Sequence, residues 1–231
     1  MEILKISTGT AQRKSLFIFE ILVIFLFMPL FFSLFKKIPP LFLIIIGGFY
    51  ALWLLKKDEN FDKRSFYKLP DSKNEYKRVL IQAIFFSIFL YVIVSYFLPD
   101  RAFYFLKKDF SLWLSIIMIY GLFAVYPQEI LYRAFIFHRY GSIVKNRMML
   151  IHLSAILFAF GHILYLNPIT LILSLFGGYL FSYTYAKSGS MVLVSIEHFL
   201  YGFLLYTIGL GEYFCQSQLK FPTLWPLKFP S

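Results

Sequence analysis

Apolar runs, each close to the roughly 20 residues a helix needs to cross a bilayer, alternate along this chain with short basic segments. A polar start carrying Lys5, Arg13 and Lys14 leads into a first predicted span near 16–35. Lys36, Lys37 and the Pro39-Pro40 pair mark a tight turn into a second span near 38–55. Residues 56–78 form the one clearly soluble loop, with eight basic and five acidic side chains. A third span is predicted near 79–98, followed by a linker carrying Arg101, Lys107 and Lys108, and a fourth near 110–126. Pro127 lacks an N–H and is expected to bend or interrupt that helix, with helical pattern continuing through Gly141. Further spans are expected at 148–165, 168–187 and 190–210, and the tail after Gly211 is too broken by Pro, Trp and Phe for another.

The pattern therefore predicts an all-α, polytopic transmembrane bundle of about seven spans. Residues 1–110 would supply N-terminal membrane helices, 111–210 a helical core and 211–231 a tail. Composition agrees: the chain is 59% hydrophobic and 15% charged, whereas soluble domains carry about 25% charged residues. Several such runs exclude a single signal peptide before a soluble body. A lone Cys215 excludes an intramolecular disulfide.

The net charge of +11 does not point to nucleic acid, because the basic residues gather beside the apolar runs, where they set topology and meet anionic lipid. With the N-terminus cytoplasmic, 16 basic residues fall on the cytoplasmic side and 7 on the other. Basic residues prefer cytoplasmic loops, so the expected arrangement is N-terminus in and C-terminus out. No internal repeat is visible. The segment near 99–109 is too short for a partner-binding domain.

Three polar clusters stand out, because ionisable groups inside a membrane are costly and usually face a bundle interior. The first is Gln128-Glu129-Ile130-Leu131-Tyr132-Arg133. Glu129 and Arg133 are four apart and share a helix face in the order that favours an ion pair; Gln128 is rotated from Glu129 by about 100°. The second is Phe158-Ala159-Phe160-Gly161-His162, in which Phe158 and His162 share a face and Gly161 permits close helix approach. The third is Glu197-His198-Phe199-Leu200-Tyr201-Gly202, where a carboxylate sits amid apolar residues and Tyr201, one turn on, can offer it a hydroxyl. Glu129, Glu197, His162 and His198, with Gln128 and Arg133, suit water activation: one group takes the proton and a donor holds the oxyanion. Zinc held by His162, His198 and Glu129 is the alternative, although no H-E-x-x-H pairing supports it. A structural clasp and a proton-relay transporter are the other readings; two matching broken helices, expected of many transporters, are not seen.

At these residues the sequence resembles the CPBP family of intramembrane endopeptidases, the Abi or CAAX-protease and bacteriocin-processing proteins. Its E-E-x-x-x-R motif is similar to Gln128–Arg133, its F-x-x-x-H to Phe158–His162, and its H-x-x-x-N to His198–Gly202. The resemblance spans about 115–205 and includes the text around the motifs, among it RAFIFHRYG.

It implies motif-bearing helices around a conical, membrane-open cavity, and hydrolysis of membrane-anchored or lipid-modified peptides near the bilayer surface. It further implies either a glutamic-type mechanism needing no cofactor or a metalloprotease one, metal use in the family being disputed, with the bilayer as surroundings and a location in a bacterial inner membrane. In that family the first Glu and the motif-two His activate water, the last-motif His and Asn hold the oxyanion, and the Arg is structural or meets substrate. Two positions depart: Gln128 replaces the proton-accepting Glu, and Gly202 removes the Asn donor, a loss worth about 3–4 kcal/mol in comparable sites. Two repairs are open, Glu129 rotating into the base role or Glu197 supplying the carboxylate. A proteolytically inactive relative that binds a membrane peptide or lipidated tail is the alternative function.

Overall fold

The computed structural model describes residues 10–34 and 38–214. Cys215 and most of the tail, the basic pair Lys36 and Lys37, and Lys5 lie outside those residues. Among the described residues, seven helices are long and apolar enough to cross a membrane. They are α1 (Lys14–Leu34), α2 (Pro40–Lys57), α3 (Lys73–Phe97), α4 (Phe110–Gly141), α5 (Arg147–Tyr165), α6 (Pro168–Ser188) and α7 (Met191–Ile208). Among the described residues there is no strand. The chain is thus an all-α, polytopic membrane protein.

Helix ends fall where the sequence offers caps. Ser72 caps α3, Asn146 receives the Met148 and Met149 amides at the start of α5, and Asn167 receives those of Ile169 and Thr170 before α6. Ser190 caps α7 through the Leu193 amide. Such caps satisfy amides that the first helical turn leaves without partners. Gly189 and Gly209 end α6 and α7 in the left-handed region, at φ 62° and 116°. At Gly209 a side chain would also run into the Arg101 carbonyl, so glycine is required there twice over.

Two boundaries differ from the sequence pattern. The third span starts at Lys73 rather than 79, because Ser72 provides a cap and charged residues extend the helix beyond its apolar stretch. Pro127 does not break α4. Instead, π-helical turns at Tyr120–Val125 and Ile130–Phe135 flank it, and wider turns of this kind re-phase a helix without ending it.

Burial locates the core. Half of the apolar window is buried in α5 and α7, against 17% in α4 and 22% in α2 and α3. Phe85, Tyr96 and Trp53 accordingly face outward, as lipid-facing residues do. Gly178 of α6 packs onto the Ala155 backbone of α5, a small-residue contact that lets membrane helices approach closely. The connection between α2 and α3 covers one end of the bundle. It is tied down by Tyr126 Oη donating to the Phe66 carbonyl at 2.9 Å, and by an Asp58–His138 contact of 2.7 Å. The His138 hydrogen bond holds the Asp58 carboxyl below its ordinary range, outweighing the opposing effect of burial.

Candidate active site

The three motifs converge. Gln128 from α4, His162 from the end of α5 and His198 from α7 line one cavity of about 260 Å³. Most of its remaining wall is apolar, drawn from α2, α3, α4 and α6. Its outer residues include Pro40 at the start of α2, Tyr165 at the end of α5, and Phe214. The cavity therefore lies toward the end of the bundle opposite the 58–72 connection.

Glu129 does not line this cavity. It is fully buried, with Oε1 2.7 Å from His198 Nδ1 and Oε2 3.2 Å from Arg133 Nε. The Arg133 contact lacks the alignment of a hydrogen bond and is ionic. Arg133 is also fully buried, its guanidinium 4.4 Å above the Phe158 ring and 5.4 Å from that of Phe181. Cation–π contact of this kind supports a desolvated guanidinium. With the Arg133 guanidinium at one oxygen and the His198 imidazole at the other, the Glu129 carboxylate bridges α4 and α7.

Both imidazoles are fixed through Nδ1. His162 Nδ1 is 2.8 Å from the Phe158 carbonyl, which can only accept, so Nδ1 carries the hydrogen. His198 Nδ1 faces an ionised carboxylate and carries its hydrogen for the same reason. In the neutral rings Nε2 then holds a lone pair. Phe158 packs between them, 4.7 Å from the His162 ring and 5.5 Å from that of His198, while Phe181 stacks on His198 at 4.5 Å. The phenylalanine four residues before His162 thus spaces the two imidazoles.

Neither carboxylate repair foreseen from the sequence has its acid at the cavity. Glu129 is held by Arg133 and His198. Glu197 is fully buried and is not among the cavity residues. The Thr184 hydroxyl faces the Glu197 carboxyl as a side-chain hydrogen-bond partner, with Arg78, Arg133 and Glu129 as the nearby charges, and Tyr201 does not supply the expected hydroxyl. Gly161 makes room for the Tyr132 hydroxyl of α4, a close approach between α4 and α5. Among the described residues no group of three or more His, Cys, Asp or Glu can hold a metal ion. Because Glu129 already holds Arg133 and His198, the set His162, His198 and Glu129 does not fit zinc.

Sequence reasoning missed Tyr120. It lines the cavity and donates to the His198 carbonyl at 3.1 Å. Eight residues before Gln128, it would stand about 80° away on an undisturbed α-helix. The π turn starting at Tyr120 reduces that offset, and no residue pattern announced it. Also missed was Arg78 of α3, which joins Glu75, Gln82 and Thr184 in a polar network behind Glu197.

Fold and site together define a helical membrane protein, with seven candidate spans among the described residues and a cavity whose two histidines come from α5 and α7. Residues 108–204, which contain all three motifs, match the family model for Type II CAAX prenyl endopeptidase Rce1-like. The match runs from just before α4 into the last turns of α7, so the family resemblance is established over this part of the chain. Neither the curated proteins nor the solved structures gave a match.

Proposed function

We propose that this protein is an intramembrane endopeptidase in which His198, oriented by Glu129, serves as the base. The observation that supports this most is the 2.7 Å Glu129–His198 contact beside a cavity shared by His162 and Gln128. A carboxylate on Nδ1 fixes the tautomer and stabilises the imidazolium that forms when Nε2 takes a proton, as in carboxylate–histidine pairs generally.

A water donating to the Nε2 atoms of His198 and His162 would lose one proton to His198 as its oxygen attacks the peptide carbonyl. The Gln128 amide N–H can donate to the resulting oxyanion, a role open to Gln but not to an ionised Glu. The imidazolium then returns the proton to the leaving nitrogen, and the C–N bond breaks. Arg133 holds Glu129, and Glu197 takes no part.

The apolar walls suit a lipid-facing or lipid-modified peptide segment in a conical, membrane-open cavity. The basic 56–78 segment lies at the opposite end, which by the positive-inside tendency is cytoplasmic. The reaction is therefore proposed for substrates reaching the cavity from the non-cytoplasmic face.

The second reading, a relative that binds a membrane peptide without cleaving it, is favoured by the clasp on Glu129 and by Gln128 at the position of the acid. Purified protein in nanodiscs separates the two. It would be given a farnesylated peptide ending in Cys-aliphatic-aliphatic-X and a set of unmodified single-span peptides. Hydrolysis of any of them, read by mass spectrometry, supports the endopeptidase. Saturable binding with no product supports the binding protein.

A further inference from the structure

Gly202 stands where the resembling family carries a donor side chain, and the space that side chain would need is already filled. A Cβ built at Gly202 would fall on the hydroxyl and ring of Tyr120. Tyr120 comes from α4 and packs directly against the backbone of α7. Its ring meets the His198 ring edge-on at 5.8 Å and the Tyr206 ring at 5.4 Å. Its hydroxyl donates to the His198 carbonyl at 3.1 Å, a long bond for an O–H donor, whose usual distance is about 2.7–2.8 Å. The missing side chain and the intruding tyrosine are thus complementary: Tyr120 fits because residue 202 is glycine.

We propose that Tyr120 is a catalytic residue, the oxyanion donor that replaces the side chain absent at position 202. This rests on the endopeptidase reading. In the free protein its hydroxyl rests on the His198 carbonyl. As a tetrahedral intermediate forms, the hydroxyl turns to the new oxyanion and donates beside the Gln128 amide. The proton stays on Tyr120, so no further acid or base is required. Two neutral donors, Tyr120 and Gln128, then face the developing charge, while the imidazoles handle the proton.

The geometry explains three features together. The π turn at Tyr120–Val125 brings Tyr120 toward the face of Gln128. Gly202 leaves space for its ring. The ring's edge-on contact with His198 holds the hydroxyl on the side of the base.

The test is steady-state hydrolysis of the best-cleaved peptide by wild-type protein and variants in nanodiscs, with melting temperature recorded for each. Tyr120→Phe removes only the hydroxyl, and kcat should fall about 100- to 1,000-fold, the range for one oxyanion donor, with KM and melting temperature little changed. Tyr120→Ala should fall at least as far. Tyr120→Ala/Gly202→Asn puts an amide into the vacated space and should recover at least about tenfold in kcat over Tyr120→Ala. A Tyr120→Phe protein with kcat within twofold of wild type overturns the proposal and leaves the endopeptidase intact. So does a loss confined to melting temperature or KM, the mark of a purely structural hydroxyl. Wild-type protein that cleaves no peptide overturns the endopeptidase reading and this proposal with it.

Discussion

Glu129 is the residue on which two helices and two charges meet. Replacing it by Gln keeps its shape but removes the charge that faces Arg133 and His198 at 3.2 and 2.7 Å. Breaking a buried pair by removing one partner typically costs about 3–5 kcal/mol, because the other charge stays buried. Glu129→Gln should therefore lower the melting temperature clearly and cut kcat at least about 100-fold. Glu197→Gln should leave kcat near wild type, since Glu197 does not reach the cavity. Both are checked by turnover and thermal unfolding on the same preparations. Equal activity in Glu129→Gln would show that His198 needs no oriented carboxylate. That Glu129, His162 and His198 stand apart from their surroundings was legible in the sequence, because each is an ionisable group in an apolar run. Their direction was not. Whether Gln128 or Glu129 faces the cavity depends on the phase of α4, and the turns around Pro127 that set it leave no periodic signature.

At the scale of elements, the site depends on how closely α4, α5 and α7 can approach. Gly161 gives its space to the Tyr132 hydroxyl, and Tyr132 meets the Phe158 ring edge-on at 5.3 Å. Gly161→Ala should push Tyr132 away from α5 and destabilise the protein by about 1–3 kcal/mol, the cost of overpacking a filled interior. Adding Tyr132→Phe, which removes the obstructing oxygen, should restore part of that loss in a thermal-unfolding assay. A full-strength Gly161→Ala protein would mean that the α4–α5 contact is loose. The spans themselves could be read from apolar run length. Their ends were less accessible: α3 gained a turn and a half through the Ser72 cap, and α4 ran on through its proline because π turns absorbed the missing amide.

For the whole molecule, the proposed sidedness follows from charge and from where the cavity lies. The cavity is reached from the end bearing the 98–109 and 166–167 connections, and the basic loop is at the other end. Single cysteines at exposed Glu59 and Asp100, placed in a Cys215→Ser background, test this in intact cells. An impermeant maleimide should label Asp100→Cys directly and Glu59→Cys only after the membrane is opened. The reverse pattern would turn the cavity toward the cytoplasm and change the class of peptide that can reach it. Seven spans and the gathering of basic residues on one side were open to the sequence alone. That the cavity sits at the less basic end was not, since it depends on where three distant motifs stand in depth.

Turnover by His198→Ala tests the role of His198 as base most directly. Steady-state hydrolysis of one cleaved peptide would be measured in nanodiscs, alongside equilibrium binding of the same peptide with its scissile amide reduced. With His198 as base, kcat should fall about 100- to 10,000-fold, the usual contribution of a positioned general base, with binding within a few-fold of wild type. A His198→Ala protein that hydrolyses the peptide at the wild-type rate would contradict that role.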